Sequence, residues 1–152
     1  MALPNIYDSQ VAQQLIDRIN KLTPETLPLW GKMNASQMLA HCNVTYEYIF
    51  DERTDKPNFF VKWMLKKFVK KKVTSEEPYA HNLTTGPAFI IPDTKNYNQE
   101  KSRLIHFITK VTTLGTPFFV DKKSVSFDEL TMDEWNNMMY KHLDHHLKQF
   151  GV

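Results

Sequence analysis

One cysteine, four glycines and no apolar run near membrane length set the first limits on this 152-residue chain. With Cys42 alone no disulfide can form within the chain, and a zinc site built from cysteine pairs is excluded. The opening "MALPNIYDSQVAQQL" has no basic segment leading into an apolar run, so no secretory leader is expected. Nor does any stretch approach the roughly 20 apolar residues of a membrane span. The expected location is the cytoplasm. Charge of either sign is not in excess, since 19 Lys and Arg stand against 17 Asp and Glu. Such a balance excludes a nucleic-acid binder that works through overall charge. What the chain does have is 41% apolar and 12% aromatic residues, enough for one folded core at this length.

The shortage of glycine favours helices over many short strands, and Gly115 and Gly151 sit where long periodic segments would end. A first helix is expected from about Asp8 to Lys21, with Asp8 as cap and Val11, Leu15, Ile19 and Leu22 at helical spacing. A second starts at Asn34, where Gln37 completes a capping box, and continues to about Phe50. A third, "FFVKWMLKKFVKKK", follows Asn58 and ends near Lys72. The stretch "VTSEEPYAHNLTTGPAFIIPD" then reads as a long loop of the kind that packs over a site. A fourth helix should run from Asp93 to the residue before Gly115, and a last one from the Thr131 and Glu134 capping box to just short of Gly151. No segment alternates convincingly as a strand. Residues 1–152 therefore read as a single all-α domain.

Three of the six histidines fall within five positions of the final segment, "YKHLDHHLKQFGV". At about 100° per residue, His142 and His146 share one face of a helix about 40° apart, and that face also carries Trp135, Met139, Leu143 and Leu147. His145 lies at its edge, while Lys141 and Asp144 point away. In the second helix His41 falls in the stripe of Met38, Cys42, Thr45, Tyr48 and Ile49. Three inward imidazoles need partners for their ring nitrogens. One reading is a shared cation. Histidines at i and i+4 can both bring a nitrogen to about 2.0–2.1 Å from one ion, as zinc or nickel would take them, and a third from another helix leaves coordination positions for water or substrate. The other reading is a set of core histidines satisfied by Tyr48, Gln37 or Thr45. Periodicity does not choose between them. Glu47 on the outer side and Cys42, about 100° around from His41, make poor fourth ligands.

The segments "LWGKMNASQMLAHC" and, about 100 residues on, "EWNNMMYKHLDHHLKQFGV" resemble the DinB-like superfamily of metal-binding helical bundles, related to the YfiT type. They look most like an uncharacterised subfamily with "GKMxxxQMLAHC" and "YKHLDHHLxQFG" segments, and "KPNFF" and "PAFII" extend the likeness across most of the chain. The resemblance implies an up-and-down four-helix bundle with a long crossover, in which "FFVKWMLKKFVKKK" is an extra helix. It also implies a divalent metal held by His41, His142 and His146, with His145 a neighbour that does not ligate. Gln37, Tyr48 and His145 are candidates for supporting contacts. One departure stands out: where the subfamily pattern has a motif like "HxFGKLT", this chain reads "VSFDELT", with Val125 and Asp128 in place of histidine and glycine.

Two chemistries suit such a site. In the first, favoured by the resemblance, the metal stabilises the thiolate of a low-molecular-weight thiol for attack on a small electrophile, a thiol-dependent S-transferase-like reaction. In the second it activates water, as in a metal-dependent hydrolase. A non-catalytic metal-binding or protein-interaction bundle is the third reading. Zinc or nickel heads the list of ions, with iron and manganese behind, because imidazole ligands alone do not select among them. Separately, Lys62 to Lys72 holds six lysines and no acidic residue, with Phe59 and Trp63 among them. The expected arrangement is a solvated face whose lysine stems cover the aromatics, then a homodimer contact; nucleic acid and membrane surfaces are not the expected partners.

Overall fold

Short polar side chains decide where the helices begin. In the computed structural model, which describes residues 2–152, Asp8 caps α1 (Ser9–Asn20) by accepting a hydrogen bond from the Gln10 backbone N–H. Asn34 and Gln37 form the expected reciprocal box at the start of α2 (Ala35–Ile49). Asn58 caps α3 (Phe59–Met64), Asn96 caps α5 (Tyr97–Leu114), and Thr131 with Glu134 forms a second box on α6 (Met132–Gln149). Each cap satisfies backbone donors that the first helical turn leaves without partners. Between α3 and α5 lie a π-helical turn at Leu65–Val69, a short α4 (Lys70–Thr74) and a 3-10 turn at Pro87–Phe89.

The chain is mostly helical, as an all-α reading requires, with three local departures. The fourth expected helix starts at Tyr97 and not at Asp93. Just before it, Lys95 donates its N–H to Ser36 Oγ and Thr94 Oγ1 accepts from Asn34 Nδ2, which ties this stretch to the start of α2 in a non-helical path. The third helix reaches Thr74, beyond Lys72, and changes to π geometry midway. Finally, Lys123–Ser124 pairs antiparallel with Asp128–Glu129. Two residues per strand are too few for alternation to show in sequence.

That hairpin holds "VSFDE", the first five residues of "VSFDELT". Asp128 adopts φ +60, a left-handed conformation in which Asp is better tolerated than most side chains. Its carboxylate receives Lys62 of α3 and Lys66 of the π turn, and the two ammonium groups hold its carboxyl down at about 2. Asp128 thus anchors the hairpin to the helical segment of residues 59–74.

Helices α1 and α2 each pack against both α5 and α6, and α4 lies on α6. The shared core is drawn from all four long helices: Leu15 and Ile19 of α1, Met38, Leu39, Cys42 and Tyr46 of α2, Leu104 and Ile108 of α5, and Trp135, Met139, Leu143 and Leu147 of α6. Burying side chains of this size stabilises the fold by about 1.5–3 kcal/mol each before entropy is subtracted. On α2 and α6, that burial turns the histidine faces toward each other.

The boxes give a measurable expectation. Thr131→Ala removes one acceptor at an exposed helix start and should lower stability by about 1 kcal/mol in urea denaturation. Asn34→Ala should cost more, because Asn34 also accepts from Ser36 Oγ and donates to Thr94. Equal losses would show that those two extra bonds contribute nothing.

Candidate metal centre

His41 of α2 meets His142 and His146 of α6 at one point between the helices. The three side chains offer ring nitrogens that lie within 4.8 Å of one another, and the group could hold a metal ion. His41 and His146 are buried and His142 is partly so. Ring centroids are 4.9 Å apart for His41 and His142, 4.5 Å for His41 and His146, and 4.9 Å for His142 and His146. The closest nitrogens are His41 Nε2 and His142 Nε2, at 2.9 Å.

The partners of the other ring nitrogens fix the tautomers. His41 Nδ1 lies 2.8 Å from the Phe89 carbonyl, which can only accept, so Nδ1 carries the hydrogen and a neutral ring has a bare Nε2. His146 Nδ1 lies 2.8 Å from Gln149 Oε1. The orientation of that amide is set in turn, because Gln149 Nε2 donates to the Trp30 carbonyl at 2.7 Å. His146 Nδ1 is therefore also a donor, and its Nε2 is bare. His142 Nδ1 sits 3.1 Å from Thr45 Oγ1, a hydroxyl that can donate or accept. His142 alone can change tautomer. With Thr45 donating, its Nε2–H bridges to His41; with Thr45 accepting, its Nε2 is bare like those of His41 and His146. An imidazole whose remote N–H is held by a carbonyl or amide oxygen is the arrangement metal-ligating histidines use.

Electrostatics keeps the three rings neutral. Burial is the largest cause for each, and their mutual repulsion when charged adds to it for His142 and His146. His142 is held well below the usual range, and His146 is lowered to about 3. The Phe89 carbonyl pulls His41 back only in part. Among the described residues, no carboxylate is hydrogen-bonded to or paired with the group. Glu47, expected on the outer side, pairs with Arg103 and Arg53, and Cys42 is buried against Met38 with its thiol pushed up by desolvation.

Two loops close over the helices. Residues 28–32 lie along the end of α6, where Leu29 N–H donates to the Gln149 carbonyl at 2.7 Å. Gly31 is needed there for two reasons: its φ is +83, and a Cβ would stand 2.5 Å from Gln149 Nε2. Trp30 stacks on His81 at 3.8 Å and meets His145 edge to face at 5.8 Å. The second loop carries Phe89, whose ring also contacts His41 and His142.

The supporting residues are not all those expected. His145 stands beside the group, its ring 5.1 Å from that of His146 and 5.5 Å from Tyr79. Gln37 does not reach a histidine: its amide completes the α2 box and donates to the Ile91 carbonyl, which holds the Phe89 loop in place. Tyr48 donates to Asp55 at 2.6 Å and lies 6.2 Å from the Phe89 ring. Thr45, Gln149 and Phe89 make the contacts instead. Lys141, placed outward by helical phase, is buried beneath the 72–77 segment, where its ammonium donates to the carbonyls of Lys72, Ser75 and Glu77. Burial pushes it down to about 8.

Two outcomes follow for the metal-free protein. The unfolded chain takes up imidazole protons below about pH 6.5, whereas the folded state does not until much lower pH, so stability present above that value should fall as pH drops toward about 3. Urea midpoints from about pH 7 to about pH 5 should decline, less steeply in His142→Ala/His146→Ala; identical slopes would contradict the assignment. Gly31→Ala should destabilise by about 1–3 kcal/mol, and Gln149→Ala in that background should add little because both act through one contact. Fully additive losses would break that link.

Comparison with curated proteins and with solved structures returns no match. A family model described as "Protein of unknown function (DUF1569)" matches residues 7–151, a span that contains all three histidines and both covering loops. The chain belongs to the DUF1569 family.

Proposed function

We propose that this protein is a divalent-metal-dependent enzyme of the DinB-like type, built as an up-and-down four-helix bundle and using His41, His142 and His146 as metal ligands. The observation that supports this most is the pair of fixed N–H anchors. Phe89 O and Gln149 Oε1 each take the Nδ1 hydrogen of a buried histidine, which leaves both Nε2 atoms bare, that of His41 at 2.9 Å from His142 Nε2. If Thr45 accepts from His142 Nδ1, the three rings bring lone pairs together, a state in which a shared cation takes the place of the His142–His41 hydrogen. The donor set, neutral nitrogen without thiolate or carboxylate, suits zinc or nickel first.

A metal held by three neutral imidazoles supplies Lewis acidity, lowering the pKa of a thiol or water bound beside it. We favour the thiol: S-transferase-like attack on a small electrophile, with a low-molecular-weight thiol as co-substrate. The protein's own part is to keep the three rings uncharged by burial, to hold His41 and His146 in one tautomer, and to let Thr45 accept from His142 Nδ1. The lids formed by residues 28–32 and by the Phe89 turn limit water around the nitrogens.

Metal analysis of protein purified without added metal should find about one ion per chain, lost in His142→Ala/His146→Ala. Equal content in both would remove the site. A conjugation assay with glutathione or cysteine and a generic electrophile then tests the chemistry, with metal removal expected to abolish turnover. Metal without turnover would leave a binding protein, and turnover indifferent to metal would contradict a metal-dependent transferase.

A further inference from the structure

The rod of residues 59–74 presents rings to solvent that nothing in the site uses. Phe59 is 88% exposed, Phe60 64%, Phe68 63% and Trp63 47%, and Val61 and Met64 are exposed beside them. These are one patch. Phe60 stacks on Trp63 at 6.0 Å, Trp63 meets Phe68 edge to face at 6.4 Å, and Lys67 Nζ lies 5.0 Å and 5.4 Å from those two rings. Phe59 and Trp63 also line a groove of about 490 Å³ with Lys62, Lys66, Lys67 and Asp128. The lysine stems therefore do not cover the aromatics, contrary to the arrangement expected from sequence. The patch is held outward because Leu65, Val69 and Val73 anchor the opposite side on the core, while Asp128 and Glu134 fix Lys62, Lys66 and Lys70. The π turn at Leu65–Val69 falls within it, an irregularity that often accompanies functional segments.

We propose that this face docks the protein on an anionic lipid surface. Charge complementarity selects the partner. Residues 59–74 carry six lysines and no acid, and Lys67, Lys71 and Lys72 have no carboxylate partner among the described residues. A second copy packed two-fold on this patch would bring the unpaired ammonium groups of both chains into one interface without adding a carboxylate from residues 59–74 to match them. Nucleic acid binding draws its affinity from the number of phosphates neutralised, which three free lysines supply poorly, and Val61 and Met64 offer no face for a base. A lipid interface uses every element present. Phenylalanine and tryptophan rings sit at the headgroup boundary, the aliphatic side chains enter below it, and lysines meet anionic headgroups.

The test is flotation of the full chain with vesicles of phosphatidylcholine containing about 30% phosphatidylserine, against phosphatidylcholine alone, at about 0.15 M salt. The protein should float with the anionic vesicles and far less with the neutral ones. Phe59→Ser/Phe60→Ser and Lys67→Glu/Lys71→Glu should each weaken partition by about tenfold or more, with circular dichroism unchanged because these side chains are solvent-exposed. No partition by the unaltered chain, or equal partition by the Phe59→Ser/Phe60→Ser variant, would overturn the proposal. So would a dimer abolished by that variant, or retention on a single-stranded oligonucleotide, if either occurs without vesicle binding.

Discussion

Three imidazoles brought within 4.8 Å in a buried place can share it only while uncharged, and each must then account for one hydrogen and one lone pair. The Phe89 carbonyl and the Gln149 amide oxygen answer that requirement for His41 and His146 by taking the Nδ1 hydrogens. What is left over is directional. The bare His41 Nε2 points at His142, the His146 Nε2 is likewise unprotonated, and Thr45 leaves His142 free to join them. Much of the surrounding architecture serves this allocation of hydrogens.

Gln149 shows how far the dependence reaches. Its amide is oriented by the Trp30 carbonyl, and Trp30 is brought there by a loop that Leu29 pins to the end of α6. The close approach is open only because residue 31 has no side chain and can adopt positive φ. On the other side Gln37 links the start of α2 to Ile91, two residues after the Phe89 carbonyl that His41 needs. Lys141 draws the segment after α4 onto α6 by donating to three carbonyls, which caps that short helix where its own bonds end. The loops are thus fastened to the same two helices that carry the histidines.

How legible this was in the sequence varied with the range of the interaction. Local rules worked: the Asn34/Gln37 and Thr131/Glu134 boxes stand where their spacing put them, and helical phase alone turned His41, His142 and His146 to one side. Partners distant in the chain did not show. Phe89 lies 48 positions from His41 and acts through its backbone carbonyl, a group every residue has. Gln149 was readable only as a polar residue near a helix end, and Gly31 as one glycine of four. Gln37 lies one turn before His41, within apparent reach of the histidines, yet its amide is committed to the cap and to the Ile91 carbonyl. Lys141 was placed outward by phase, and phase cannot foresee a loop folding over a helix. The 123–129 hairpin left no periodic trace because each strand has two residues.

The tautomers are the central claim, and they can be seen directly. Long-range ¹⁵N–¹H correlation spectra of the histidine side chains in the metal-free protein at neutral pH separate Nδ1–H from Nε2–H rings. His41 and His146 should both show protonated Nδ1 and unprotonated Nε2, with His146 still neutral well below the pH at which exposed histidines charge. An Nε2–H tautomer on either ring, or ordinary titration of His146, would contradict the account.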